Sequence, residues 1–176
     1  SGQSSARLVH MFVLGIDPGL SRCGYGVVES SGKNLRAVAA GVIRTPPEMD
    51  LALRLAELQK EIHALIADYQ PEEVAVERVL FQVNVSSAMA PGQAAGVTMA
   101  AAASTGLPVA LSSPNEVKLA VAGWGGADKQ QMERMVQSQL SITKPLRPVD
   151  AADAVAVAIC HLAMRPSAAL TAAKKQ

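Results

Sequence analysis

The chain has 176 residues, 49% hydrophobic and 18% charged, with a formal net charge of +1. That length supports one sizeable core and is short for two, and so balanced a charge excludes a strongly basic protein that holds nucleic acid by bulk electrostatics alone. Two distant cysteines, Cys23 and Cys160, without a C-x-x-C spacing or a cleavable signal pattern, point to a reducing, cytoplasmic setting.

In chain order, residues 1–10, SGQSSARLVH, precede a methionine and read as a disordered leader or remnant outside the fold. MFVLGI from Met11 is a short apolar run closed by the turn residues DPG; GYGVVES and LRAVAAGVI follow as strand-like runs linked by SSGKN. Three strands on short links predict an antiparallel meander. Between Pro47 and Pro71, Leu51, Leu55, Leu58, Ile62, Leu65 and Tyr69 recur at spacings of three and four, the period of an amphipathic helix. VAVER (74–78) is a short strand. SSAMAPGQAAGVTMAAAAS predicts a small-residue helix broken or begun near Pro91 and Gly92, and LPVALS predicts another strand. Helices follow in PNEVKLAVA, DKQQMERMVQSQL and VDAADAVAVAICHLAM.

This order predicts an α/β fold, a mixed five-stranded sheet with helices on both faces, in one domain over residues 11–165 with a tail at 166–176. No residue from Val79 to Asn115 is charged, but Pro91, Pro108, Ser86, Ser87, Gln93, Thr98 and Ser104 interrupt the stretch. A membrane span needs about twenty predominantly apolar residues in a row, so a buried helix is predicted instead.

Asp17 stands at the carboxyl end of the first strand, just before Pro18 and Gly19, where ligand sites of α/β sheets form. Glu77 ends VAVER, which follows a crossover helix and can return parallel beside the first strand. Neighbouring strands lie about 4.8 Å apart, so the two acids would face each other. Asp150 and Asp153, three apart at the start of an uncharged helix, share one face at roughly 5–6 Å. Taken alone, they read more readily as a helix cap with an acidic third residue than as metal ligands. However, two like charges about 5 Å apart repel by about 3 kcal/mol at an effective dielectric near 20. A helix terminus returns only about 0.3–1 kcal/mol per acid.

Together with Asp17 and Glu77, the pair makes a negative pocket with no basic residue at matching spacing. Its hard oxygen donors suit magnesium or manganese. Two such ions, about 3.5–4 Å apart, activate a water on one side of a phosphodiester and stabilise the leaving oxygen on the other. Without the charges of these four acids the rest of the chain carries +5.

GIDPGLSRCGYGVV, VAVERVLFQVN, PNEVKLAVAGWGGADKQQM and DAADAVAVAICH resemble, in order and spacing, the RuvC family of bacterial Holliday-junction resolvases, over Met11 to about Met164. The resemblance implies a ribonuclease-H-like fold, a homodimer, and magnesium-dependent paired nicking of two strands of like polarity across a four-way junction in DNA recombination and repair. It also implies RuvA and RuvB, the branch-migration complex, as partners. Matched residue by residue, the catalytic, metal-ligating acids fall on Asp17, Glu77, Asp150 and Asp153. Two Mg2+ ions per subunit are implied, with Mn2+ as the alternative. Some relatives carry histidine at the position of Asp150.

Lys118 and Lys129 match basic residues that the family uses against DNA phosphates; taken singly, surface lysines read more readily as solvated charges. Gly123, Gly125 and Gly126 between them would let backbone approach a phosphate, and Trp124 there either stacks or plugs the loop. VLFQVN matches a loop that the family presses into the junction centre. Leu80 and Phe81 are the two candidate wedges, at a cost of a few kcal/mol per unstacked step. Asn84 either meets a base edge or caps the next helix, and Arg78 either contacts phosphate or pairs locally.

His161 reads as a packed or rim residue. The uncharged helix from 86 to 104 is core, or core plus dimer contact. DPGLSRCGYG also resembles the phosphate loop of actin-like ATPases and sugar kinases, which usually need two such lobes. A non-catalytic DNA-structure binder would be expected to have lost an acid.

Overall fold

A computed structural model of the chain describes residues 10–80 and 85–166. The order of elements is β1 (His10–Asp17), β2 (Arg22–Ser31), β3 (Asn34–Arg44), α1 (Leu51–Tyr69), β4 (Glu73–Glu77), α2 (Val85–Ser104), β5 (Val109–Ser112), α3 (Pro114–Ala122), α4 (Lys129–Leu140) and α5 (Val149–Met164). The predicted wedge residue Phe81 and the predicted base or cap contact Asn84 lie outside the described residues.

The short links make the antiparallel meander: β1 pairs with β2 and β2 with β3. Gly32, at a φ of 61°, supplies the left-handed residue of the tight turn between Ser31 and Asn34. β1 begins at His10, one residue before the expected start, where its ring meets the Glu29 carboxylate at 3.0 Å. After α1 the chain returns as β4, parallel to β1, and β5 adds parallel to β4. The sheet therefore runs β3-β2-β1-β4-β5, mixed and five-stranded as predicted.

Alternation along the strands divides the core. Leu14, Ile16, Val74 and Val76 pack with Leu58 and Ile62 of α1 and Ala94 and Ala101 of α2. Val13 and Ala75 point the other way, into a second cluster with Val117 of α3, Val136 of α4 and Val155 and Ile159 of α5. Helices thus cover both faces.

α1 stops where Gln70 turns left-handed (φ 46°) ahead of Pro71. α2 corrects the expected break: it runs unbroken through Pro91. Pro91 has no N–H to donate, so α2 continues there one intrahelical hydrogen bond short. α5 is buried from Ala154 to Cys160, as a helix apolar on all sides must be. Among the described residues no helix is long and apolar enough to cross a membrane.

Candidate metal and nucleic-acid site

The last paired residues of β1 and β4 are Ile16 and Val76. Asp17 and Glu77 each come next, so both leave the sheet on the face opposite to those buried side chains, toward α5. What brings α5 down to them is glycine. A Cβ on Gly15 would stand 2.2 Å from the carbonyl oxygen of Ala154, and one on Gly24 2.1 Å from that of Asp150. Gly24 is also the register partner of Asp17. The first turn of α5 therefore lies directly over the end of β1, with Asp150 and Asp153 on it.

The capping alternative for these two acids does not hold. The N-cap of α5 is Pro148, with no side-chain cap bond, and Asp150 already lies inside the first turn. Its carboxylate instead accepts a hydrogen bond from Arg22 Nε at 2.7 Å. This corrects the expectation that no basic residue lies at matching spacing. Arg22 opens β2, and only the return of that strand beside β1 places it under α5. The turn between Asp17 and Arg22 is itself pinned: Thr45 Oγ1 donates to the Leu20 carbonyl at 2.5 Å, and Arg54 of α1 donates to Thr45 Oγ1 at 3.0 Å and Ser21 Oγ at 2.7 Å. Arg22 and Arg54 escaped the sequence reading because their partners are distant in the chain; the available signal was arginine beside a strand-end turn.

The charges of the acids are strained against one another. Burial first, then repulsion from Glu77, Asp153 and Asp150, pushes the Asp17 carboxyl from 3.8 up to about 7, with Lys129 opposing. Burial, then Asp153, pushes Glu77 up to about 7 against the pull of Lys118 and Lys129. Asp153 is raised by burial and by Asp150, with Lys129 again lowering it. Among the described residues no three metal-ligating side chains converge into a finished cage. One of the four acids, Asp150, is paired with Arg22. The donor set still fits a hard divalent cation: four carboxylates on one side of the sheet, with Asp17 and Glu77 raised to about 7 by burial and by their acidic neighbours.

A pH dependence follows. A carboxylate whose folded value is raised contributes stability that is full below its unfolded value, near 3.8 for Asp17, and lost as pH rises through about 7. In EDTA the melting temperature should therefore climb as pH falls from 8 toward 5. Magnesium should flatten that slope by holding the ligands ionised. Thermal melts with and without metal check this; a metal-free melting temperature independent of pH would remove the buried-acid account.

Both lysines face the acids. Lys129 is the first residue of α4, and a capping box fixes it there: Asp128 accepts from the Gln131 backbone N–H at 2.8 Å while Gln131 Oε1 accepts from the Asp128 N–H at 2.9 Å. Lys118 rides on α3, begun by Ser113 capping Glu116 N–H at 3.1 Å with Pro114 behind it, and ended by Gly123 at a φ of 84°. Trp124 is half exposed and lies across Gly126, where a Cβ would meet its ring at 2.3 Å. Arg78 and Leu80 are exposed just past Glu77. His161 is packed against Glu73, which also holds Arg165 at 2.9 Å, tying the end of α5 to the start of β4 far from the acids.

A family model described as crossover junction endodeoxyribonuclease RuvC matches residues 13–161. The crossover junction endodeoxyribonuclease RuvC of Salinispora arenicola is 52% identical over 153 residues, covering 86% of this chain and 87% of that protein. The corresponding protein of Streptomyces avermitilis is 50% identical over 158 residues, covering 89% and 90%. Among solved structures, T. thermophilus RuvC in complex with Holliday junction substrate has a TM-score of 0.82 at 34% identity, covering 86% of this chain and 93% of that one. The yeast mitochondrial Holliday junction resolvase Ydc2, at 16% identity and a TM-score of 0.63, shares the fold. The architecture is thus the expected ribonuclease-H-like one, and the chain belongs to the RuvC family of crossover junction endodeoxyribonucleases, metal-dependent nucleases that resolve Holliday junctions.

Proposed function

We propose that the chain resolves four-way DNA junctions in recombination and repair, with Asp17, Glu77, Asp150 and Asp153 as ligands for two Mg2+ ions, Mn2+ being the alternative. The observation that carries this reading is the meeting of acids from three chain segments at the ends of β1 and β4 under α5, with Lys118 and Lys129 beside them. When bound, the ions supply an activated water and charge for the leaving oxygen. The sheet orients Asp17 and Glu77, and the first turns of α5 orient Asp150 and Asp153. The two lysines seat the flanking phosphates of the cleaved strand.

Arg78, Leu80, Phe81 and Asn84 follow Glu77 directly and meet the junction centre. There Leu80 or Phe81 separates bases, while Arg78 contacts phosphate. The nuclease domain occupies residues 11–165. A symmetric junction needs two cuts, so the working unit is a homodimer, acting in the cytoplasm with the RuvA and RuvB branch-migration proteins. Two buried, unpaired cysteines suit that reducing compartment. The solved complex of the T. thermophilus relative with its junction supports the same substrate here.

The decisive experiment offers a mobile four-way junction beside a linear duplex of the same sequence, with magnesium, manganese or EDTA. Paired nicks in the junction alone, only with metal, are expected. Cutting in EDTA, equal cutting of the duplex, or ATP hydrolysis by the purified chain would be contrary results. Lys129→Ala should weaken junction binding and lower the slope of log affinity against log salt by about 1. An unchanged slope would return Lys129 to an ordinary solvated charge.

A further inference from the structure

We propose that Arg22 couples DNA binding to the readiness of Asp150 for a cation: Arg22 rests on Asp150 and passes to a backbone phosphate when DNA binds. The inference rests on the proposed function, and it names the residue that regulates that site. The pair is a single-point contact. Arg22 Nε donates to Asp150 Oδ2 at 2.7 Å, and the guanidinium makes no other hydrogen bond among the described residues. A guanidinium carries five N–H donors, so both terminal nitrogens remain uncommitted. The Arg22 and Asp150 side chains are 45% and 32% exposed, open enough for a ligand to reach either. An ion pair so exposed is weak, and a phosphate offers the guanidinium the two-point geometry that this contact lacks.

A second arginine adds to the pull. Arg44 of β3 is the register partner of Arg22; it is exposed and has no ion pair among the described residues. Like charges directly opposite on neighbouring strands repel, so two arginines with one carboxylate leave positive charge open to a further anion. Arg54 is already bound to Thr45 and Ser21. Lys118 and Lys129 act on Glu77 of β4, whereas Arg22 and Arg44 stand on the other side of β1, on β2 and β3. A DNA strand crossing the acids therefore meets cations from both directions. While Arg22 rests on Asp150, its charge repels a cation approaching the other carboxylate oxygen. Once phosphate has drawn it away, that repulsion is gone. DNA and cation then bind with positive, reciprocal coupling.

The test titrates calcium, a hard ion that takes the same oxygen donors, into the full chain with and without a synthetic four-way junction, followed by calorimetry. Without DNA, Arg22→Gln should bind calcium about tenfold more tightly than the parent; with the junction bound, the two should agree within about twofold. An arginine that merely supported the fold would loosen calcium when removed. In EDTA, Arg22→Gln should lower the slope of log junction affinity against log salt by about 1, and Arg22→Lys, which keeps the charge, should restore it. Calcium affinity of Arg22→Gln that is equal to the parent's or weaker without DNA, an unchanged salt slope, or a lost slope that lysine does not restore overturns the proposal.

Should Arg22→Gln fail to fold, the unsubstituted chain decides. Its Arg22 Nε–H resonance should move when the junction is added in EDTA, and a resonance that stays fixed overturns the proposal equally. Failure of the metal-site reading is seen separately, as calcium affinity that Asp17→Asn leaves unchanged.

Discussion

Asp17→Asn should reduce metal-dependent nicking of a four-way junction on the order of a thousandfold or more, while junction binding is retained. Asparagine keeps the shape of the side chain and removes the charge, so the sheet and the lysines are left in place. A second readout separates loss of a ligand from loss of structure. The Asp17 carboxyl is held near 7 by burial and by its acidic neighbours, so above that pH the metal-free protein carries an ionised group it would hold more easily as a neutral one. The variant should therefore melt higher than the parent in EDTA at pH 8, and the difference should shrink as pH falls below 7. A variant that loses both activity and stability would show a structural role instead, and one that still cuts would remove Asp17 from the metal site.

Gly24→Ala should be nearly as damaging by a different route. The added Cβ would stand 2.1 Å from the Asp150 carbonyl oxygen and 2.7 Å from its carbonyl carbon. Both closest atoms belong to backbone, so no rotamer relieves the overlap and the first turn of α5 must lift. Overpacking of this kind costs about 3 kcal/mol, roughly 6–12 °C in melting temperature for a chain of this size. Misplacing Asp150 and Asp153 by about an ångström should reduce the rate of the folded fraction on the order of a hundredfold. Gly96→Ala is the control. Nothing lies within 4 Å of its added Cβ inside α2, and it should stabilise the protein by about 0.5–1 kcal/mol. Equal melting temperatures for Gly24→Ala and the parent would show that α5 does not depend on that glycine.

Much of the fold could be read along the chain because its signals are local. The period of Leu58, Ile62 and Leu65 marks α1, whose bounds agree with the pattern between Pro47 and Pro71. The short SSGKN link implied the hairpin that Gly32 makes. The strand-end positions of Asp17 and Glu77 were legible for the same reason, and the parallel return of β4 is what puts them side by side. The break expected at Pro91 did not occur: the local cost of one lost hydrogen bond is outweighed by the burial of α2 against the core on either side of it.

Local pattern and motif order by themselves determined an α/β sheet covered on both faces and the four acids to be tested as ligands. Local pattern alone left Asp150 and Asp153 divided between capping and metal binding, and Lys118 and Lys129 divided between phosphate and solvent. Tertiary structure decided against capping, because Asp150 is paired with Arg22, 128 residues away. It also turned Lys118 and Lys129 toward the acids. It gave the alternate glycines of β1 and β2 their purpose, as the surface on which α5 rests. The physical reason is common to all three. Hydrogen-bond periodicity and caps are set by neighbours in sequence, whereas the charge balance of the acids and the clearance beneath a helix arise only when distant segments pack.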